Sequence, residues 1–149
     1  MSDVVVSGSR RHCAGIPAQL ALVLVAAFAV QVLLPFRGDS TAHTLGGAAL
    51  SMAVGALTPG RLLRRSGPLA EGLIFGLVVV VAWVTEMSLL GPFDLLDVTF
   101  AAGGSFVALA ALPCWAELDR GGRVRLGAGA LGLIWLAVVW RYGLRIGHG

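Results

Sequence analysis

A chain of 149 residues that is 57% hydrophobic and 13% charged cannot hide its apolar side chains in a soluble domain without leaving large patches exposed. Its net charge of +3 comes from eleven basic residues, all arginine. This balance does not point to nucleic acid, because no zinc-finger spacing, RNP-like strand or recognition helix accompanies it.

The apolar runs 16–35, 69–90, 98–115 and 126–140 approach or reach the ~20 residues that cross a bilayer. The run 44–57 is shorter and rich in glycine, alanine and methionine, and His43 and Thr58 extend it toward the interfaces. These runs predict an all-α, polytopic transmembrane helix bundle with five spans and no separate soluble domain. A barrel would need strand-length alternation, and the runs are continuously apolar. The twenty-one glycines fit helices that approach closely. Cys13 lies in the amino-terminal tail and Cys114 near the far end of a run, so neither a disulfide nor a thiolate metal site is indicated.

The first run follows Arg10 and Arg11 as a signal peptide would. It is long, however, and Leu33, Leu34, Pro35 and Phe36 make a poor cleavage site, so a retained helix is expected. In the second, Asp39, His43, Gly47, Ser51 and Gly55 recur every four residues and share one face if the helix starts early. Asp39 is otherwise a helix cap. In the third, Glu71 after Pro68 suits the positive amino-terminal end. Glu86 lies near a carboxyl end, where the dipole disfavours its charge, so it calls for a polar cavity or an ion pair. Gly91 and Pro92 end that helix. Asp94 and Asp97 then lead into a small-residue face of Ala101, Ser105 and Ala108, where Asp97 is either a cap or a partner for Glu86. In the last run Trp140 and Tyr142 beside Arg141 and Arg145 form an interfacial anchor, and support is its expected role.

The arginines set the orientation. Arg10 and Arg11, then Arg61, Arg64 and Arg65, then Arg120, Arg123 and Arg125 share one side if five spans alternate. Arg37, Arg141 and Arg145 take the other. The excess predicts a cytoplasmic amino-terminal tail (1–15), a membrane core (16–115), a basic cytoplasmic loop (116–125), and a fifth helix with an external tail (126–149). Asp39, His43, Glu86, Asp94 and Asp97 then all lie at the outer ends of the spans. Such acids must be paired, hydrated or neutralised.

These residues carry a resemblance. Asp39-Ser-Thr-Ala-His43 with the following Thr44-Leu-Gly-Gly-Ala-Ala-Leu50 resembles the Asp-x-x-x-His signature that opens the second helix of VanZ-like membrane proteins. Glu86 followed by Asp94-Leu-Leu-Asp97 and a small-residue helix resembles that family's later acidic motif. The likeness covers 16–115 and singles out Asp39, His43, Glu86 and Asp97. Leu89 stands where the family commonly has Gln, the 91–93 turn has no arginine, and Ala101 stands where Asn is frequent. The resemblance implies a bacterial plasma-membrane protein of the cell envelope, linked to glycopeptide sensitivity.

The expected function is binding or modulation of a lipid-linked or cell-surface component by an outer-facing polar site. Glu86 and His43 are the candidate acid–base pair, and Asp39, Asp97 and Asp94 the candidate substrate-binding groups. An acid–base enzyme acting on a lipid-linked intermediate uses the same groups, and a structural subunit of a membrane complex is the third reading. A histidine among carboxylates can hold a divalent cation, but the spacing identifies none. No cofactor is expected. The expected partners are membrane lipids, a lipid-linked envelope precursor, and a second copy or another membrane protein.

Overall fold

The computed structural model describes residues 15–35, 37–89 and 93–146. Arg10, Arg11, Cys13, Gly91 and Pro92, on which some of the sequence expectations fall, lie outside them. The described elements are all helical: α1 (Ile16–Leu33), α2 (Gly38–Leu57), α3 (Gly60–Leu89), α4 (Leu95–Leu109), α5 (Leu112–Trp115) and α6 (Arg120–Ile146). Three are long and apolar enough to cross a membrane: α1, α3 over Gly60–Ser88, and α6 over Arg120–Gly143. They turn large apolar side chains outward, among them Phe28, Val80, Trp83, Leu131 and Trp135.

Helix α2 differs because it is enclosed. It packs most extensively against α4 and α6, and also against α1 and α3. Ser40, Thr41, Thr44 and Ser51 are buried beside Leu45, Ala48, Ala49 and Met52. Facing other helices, it carries hydroxyls whose protons go mostly to backbone carbonyls, with Ser40 Oγ the exception. Thr44 donates to the Ser40 carbonyl at 2.9 Å and Ser51 to the Gly47 carbonyl at 3.1 Å.

Several boundaries move from their sequence positions for local reasons. Helix α2 starts at Gly38, which puts Asp39 in its first turn rather than at the cap. The arginine-rich turn before the third run is itself helical, and α3 kinks at Gly67. Pro68 disfavours an α conformation in the residue before it, and Gly67 takes φ 34° at no side-chain cost. The fourth run divides: α4 stops at Leu109, and the short α5 carries Pro113 in its first turn, where a missing N–H costs nothing. Helix α6 begins at Arg120, capped by the Asp119 carboxylate accepting from Gly122 N–H at 2.6 Å. Cys114 is disulfide-bonded, contrary to the expectation of no disulfide.

The centre of the fold is a parallel crossing of α2 and α4. A Cβ on Gly47 would lie 1.9 Å from the Ala101 carbonyl oxygen, and one on Gly104 would lie 1.9 Å from the Thr44 carbonyl oxygen. The two backbones therefore touch, as small residues allow. Two turns' worth of side chains keep one register across the crossing: Gly47 meets Ala101, and Ser51 Oγ lies 2.7 Å from Ser105 Oγ. Further along, Gly55 leaves room for the Trp115 ring. Trp115 Nε1 donates to Gln19 Oε1 at 2.9 Å, and Gln19 Nε2 donates to the Ala108 carbonyl at 3.0 Å, so α1 is tied to the same centre. At the arginine end, Arg123 donates to the Thr58 carbonyl and Arg64 to the Ala116 carbonyl, where cations suit helix carboxyl ends.

This contact makes a sharp prediction. Gly47→Ala and Gly104→Ala should each destabilise the protein by roughly 1–3 kcal/mol through overpacking. Gly46→Ala, whose Cβ would meet nothing within 4 Å, should not. Thermal unfolding of the three variants in detergent checks the difference.

Candidate functional site

The α2–α4 register extends one turn beyond Gly47 and Ala101 to His43 and Asp97. Their side chains meet, with Nε2 3.5 Å from Asp97 Oδ2. Helix α3 brings Glu86 to the same nitrogen, its Oε1 also 3.5 Å away. Glu86 is only 3% exposed, and that oxygen accepts no hydrogen bond. Helix α6 adds Arg141, whose Nη1 lies 3.4 Å from His43 Nε2 and whose Nη2 lies 3.8 Å from Asp39 Oδ2. Four helices thus converge on one imidazole nitrogen.

That nitrogen cannot satisfy all of them at once. With a proton it donates toward one of the carboxylates; without one it offers a single lone pair to the Arg141 guanidinium. The surrounding charge is unbalanced as well. Asp39, Glu86 and Asp97 are three carboxylates around one guanidinium. Glu86 and Asp97 are shielded from solvent, where unbalanced negative charge calls for a proton or another cation, whereas Asp39 is 42% exposed.

Asp94 stands apart from this group. Its Oδ1 accepts from Leu96 N–H at 2.8 Å as the α4 cap, and its Oδ2 pairs with Arg37 Nη1 at 2.9 Å. The Leu96 N–H and the Arg37 guanidinium hold the Asp94 carboxyl below the usual aspartate range. Of the residues singled out in sequence, the structure therefore groups His43, Glu86 and Asp97, sets Asp39 beside them through Arg141, and engages Asp94 in a cap and ion pair.

A cavity of about 160 Å³ opens beside His43 between α2 and α3, lined by Gly46, Gly47, Val81, Ala82 and Thr85 among others. Farther along the same seam lies a second, more apolar cavity of about 240 Å³, bordered by Val54, Leu63, Ile74 and Leu77. The polar cluster reaches the first of these cavities through His43.

Arg141 is the site residue that sequence reasoning missed. An arginine after Trp140 at the end of an apolar run reads as an interfacial anchor, and no local signal separates the two roles. Gln19, buried in α1, was missed likewise.

No family model matches the chain, and neither a curated protein nor a solved structure does.

The lowered Asp94 carboxyl fixes the sign of a pH effect. Its contribution to stability is complete above the ordinary aspartate value of about 3.9 and is lost as pH falls through the lower folded value. Asp94→Ala should therefore unfold at a lower temperature than wild type at pH 7, and the gap should close in strong acid. Asp94→Asn, which keeps a capping oxygen, should fall between them at pH 7. Melting curves across pH check both.

Proposed function

We propose that this chain is a five-span membrane protein whose His43–Glu86–Asp97 site binds the polar head of a lipid-linked or other envelope component, with the apolar part of that molecule in the α2–α3 groove. One observation carries the reading: Glu86 Oε1 is buried and accepts no hydrogen bond, its neighbour being the His43 nitrogen 3.5 Å away that Asp97 shares, and His43 lines an apolar cavity. A purely structural acid in such a place would be matched by a hydrogen-bond donor. Polar groups with few fixed positions above an apolar lining are the usual composition of a ligand site.

Five spans are supported by packing. Helix α2 has 20 residues, and its enclosure explains why it lacks the hydropathy of a lipid-facing helix. Helix α4 has 15 residues and is about 22 Å long, short of the ~30 Å hydrocarbon layer, but α5 continues its path. Arg61, Arg64, Arg65, Arg120, Arg123 and Arg125 sit at the ends of the helices away from the site, which favours a cytoplasmic location for that end and an external site. The disulfide at Cys114 belongs to the same end and points the other way, since disulfides persist in oxidising compartments. The arginine pattern, spread over several segments, is the stronger signal.

The VanZ-like signature supports a place in the bacterial plasma membrane and a link to glycopeptide sensitivity. Arg141 would then supply, from α6, the guanidinium that the 91–93 turn lacks. A second, catalytic reading draws on the shared His43 nitrogen, which lies between two carboxylates and can pass a proton. The small-residue ridge of α2 is filled by α4 and Trp115 within the chain, so it does not argue for an oligomeric surface.

His43→Ala and Glu86→Ala should each abolish the envelope or glycopeptide-sensitivity phenotype conferred by the protein while leaving its membrane abundance intact. An unchanged phenotype in both variants would contradict the site.

A further inference from the structure

We propose that His43, Glu86 and Asp97 form a divalent transition-metal site, with one imidazole nitrogen and two carboxylates as the protein ligands; this rests on reading the three side chains as a ligand site. The donor atoms, one from each residue, lie within 4.8 Å of one another. Nε2 is 3.5 Å from an oxygen of each acid. Bonds of about 2.0–2.1 Å to a tetrahedral centre set ligands about 3.4 Å apart, so both imidazole–carboxylate separations already match, and only the two carboxylates need adjust.

The second observation is independent of the clustering. Glu86 Oε1 is buried, faces the cluster and has no hydrogen-bond donor. The His43 nitrogen 3.5 Å away is shared with Asp97 and cannot serve both oxygens, so this one has room for a cation. Charge favours the cation. A dication can bind Glu86 and Asp97, the two shielded carboxylates, at once, whereas a single proton on Nε2 can be donated to only one of them; Asp39, 42% exposed, is left to Arg141 and solvent.

The ligand types narrow the metal. A nitrogen with two carboxylate oxygens suits zinc or manganese, whereas calcium and magnesium prefer all-oxygen sites. Three protein ligands leave a coordination position open, and an anionic head group arriving from the groove can fill it. The cation thereby converts a cluster that repels anions into one that binds them.

Arg141 then takes a defined part. Its guanidinium faces the same His43 lone pair at 3.4 Å, so it competes with the metal and must withdraw toward Asp39 when metal enters. The ligands come from α2, α3 and α4, so occupancy clamps α3 onto the central pair and should raise thermal stability.

The test is titration of chelator-treated, full-length protein in detergent with zinc and with manganese, followed by calorimetry and by thermal unfolding. The expected result is one equivalent of either metal per chain and a higher melting temperature. His43→Ala and Glu86→Gln should each weaken binding at least roughly tenfold, Arg141→Gln should tighten it, and Asp119→Asn should leave it unchanged. For wild type alone, zinc-edge X-ray absorption should count nitrogen and oxygen ligands without sulfur. Substoichiometric binding, a sulfur ligand, or undiminished affinity in both ligand variants would overturn the proposal. Because the titration uses metal alone, its failure removes the cation and leaves head-group binding to be judged by the cellular phenotype.

Discussion

The contact between the backbones of α2 and α4 is the constraint on which the rest of the molecule depends. Gly47 lies on the Ala101 carbonyl and Gly104 on the Thr44 carbonyl, so neither glycine has space for a methyl group. Helices this close must keep their register, and the register determines what meets at each end. One turn along it brings Ser51 to Ser105; one turn back brings His43 to Asp97. Helices α3 and α6 then close around the pair and deliver Glu86 and Arg141. The site follows from a packing decision made by glycines that carry no chemistry themselves.

Enclosure of α2 also explains an uneven distribution of hydropathy. Helices α1, α3 and α6 are long and apolar enough to cross a membrane and carry large exposed hydrophobes. Helix α2 meets other helices, so serine, threonine and histidine can occupy it, and all its buried hydroxyls except that of Ser40 have a partner. The partners are mostly close at hand, in carbonyls one turn back. His43 is different in kind: its reach is to three other helices, and the demands on its one nitrogen conflict. That conflict, with the Glu86 oxygen beside it that accepts no hydrogen bond, is what the proposed ligand site rests on.

Much of this was legible in the residues. The four-residue spacing of Asp39, His43, Gly47, Ser51 and Gly55 marks a helix face, and the small face of Ala101, Ser105 and Ala108 marks its partner, because period and side-chain size are local properties. Their common depth put Glu86, His43 and Asp97 at one end of the bundle, without showing that the side chains meet. The part played by Arg141 was not legible either, since it depends on how α6 rotates about its axis against α2, and apolar periodicity on a helix with large hydrophobes both buried and exposed leaves that rotation open. Helix ends were misplaced where side chains extend them: Asp119 caps α6 ahead of its apolar run, and Gly67 lets α3 include the arginines before Pro68. Asp94 shares the depth of the others, and there it caps α4 and pairs with Arg37, a pairing that sequence spacing does not reveal.

The most direct test of the central claim is oxidative cross-linking of Ser51→Cys with Ser105→Cys in native membranes, read from the mass of the joined peptides. The two hydroxyl oxygens lie 2.7 Å apart, so the paired thiols should form a bond within one chain, whereas Gly46→Cys with Ser105→Cys should not. A double variant that reaches the membrane at the wild-type level and forms no such bond would contradict the α2–α4 crossing and the site built upon it.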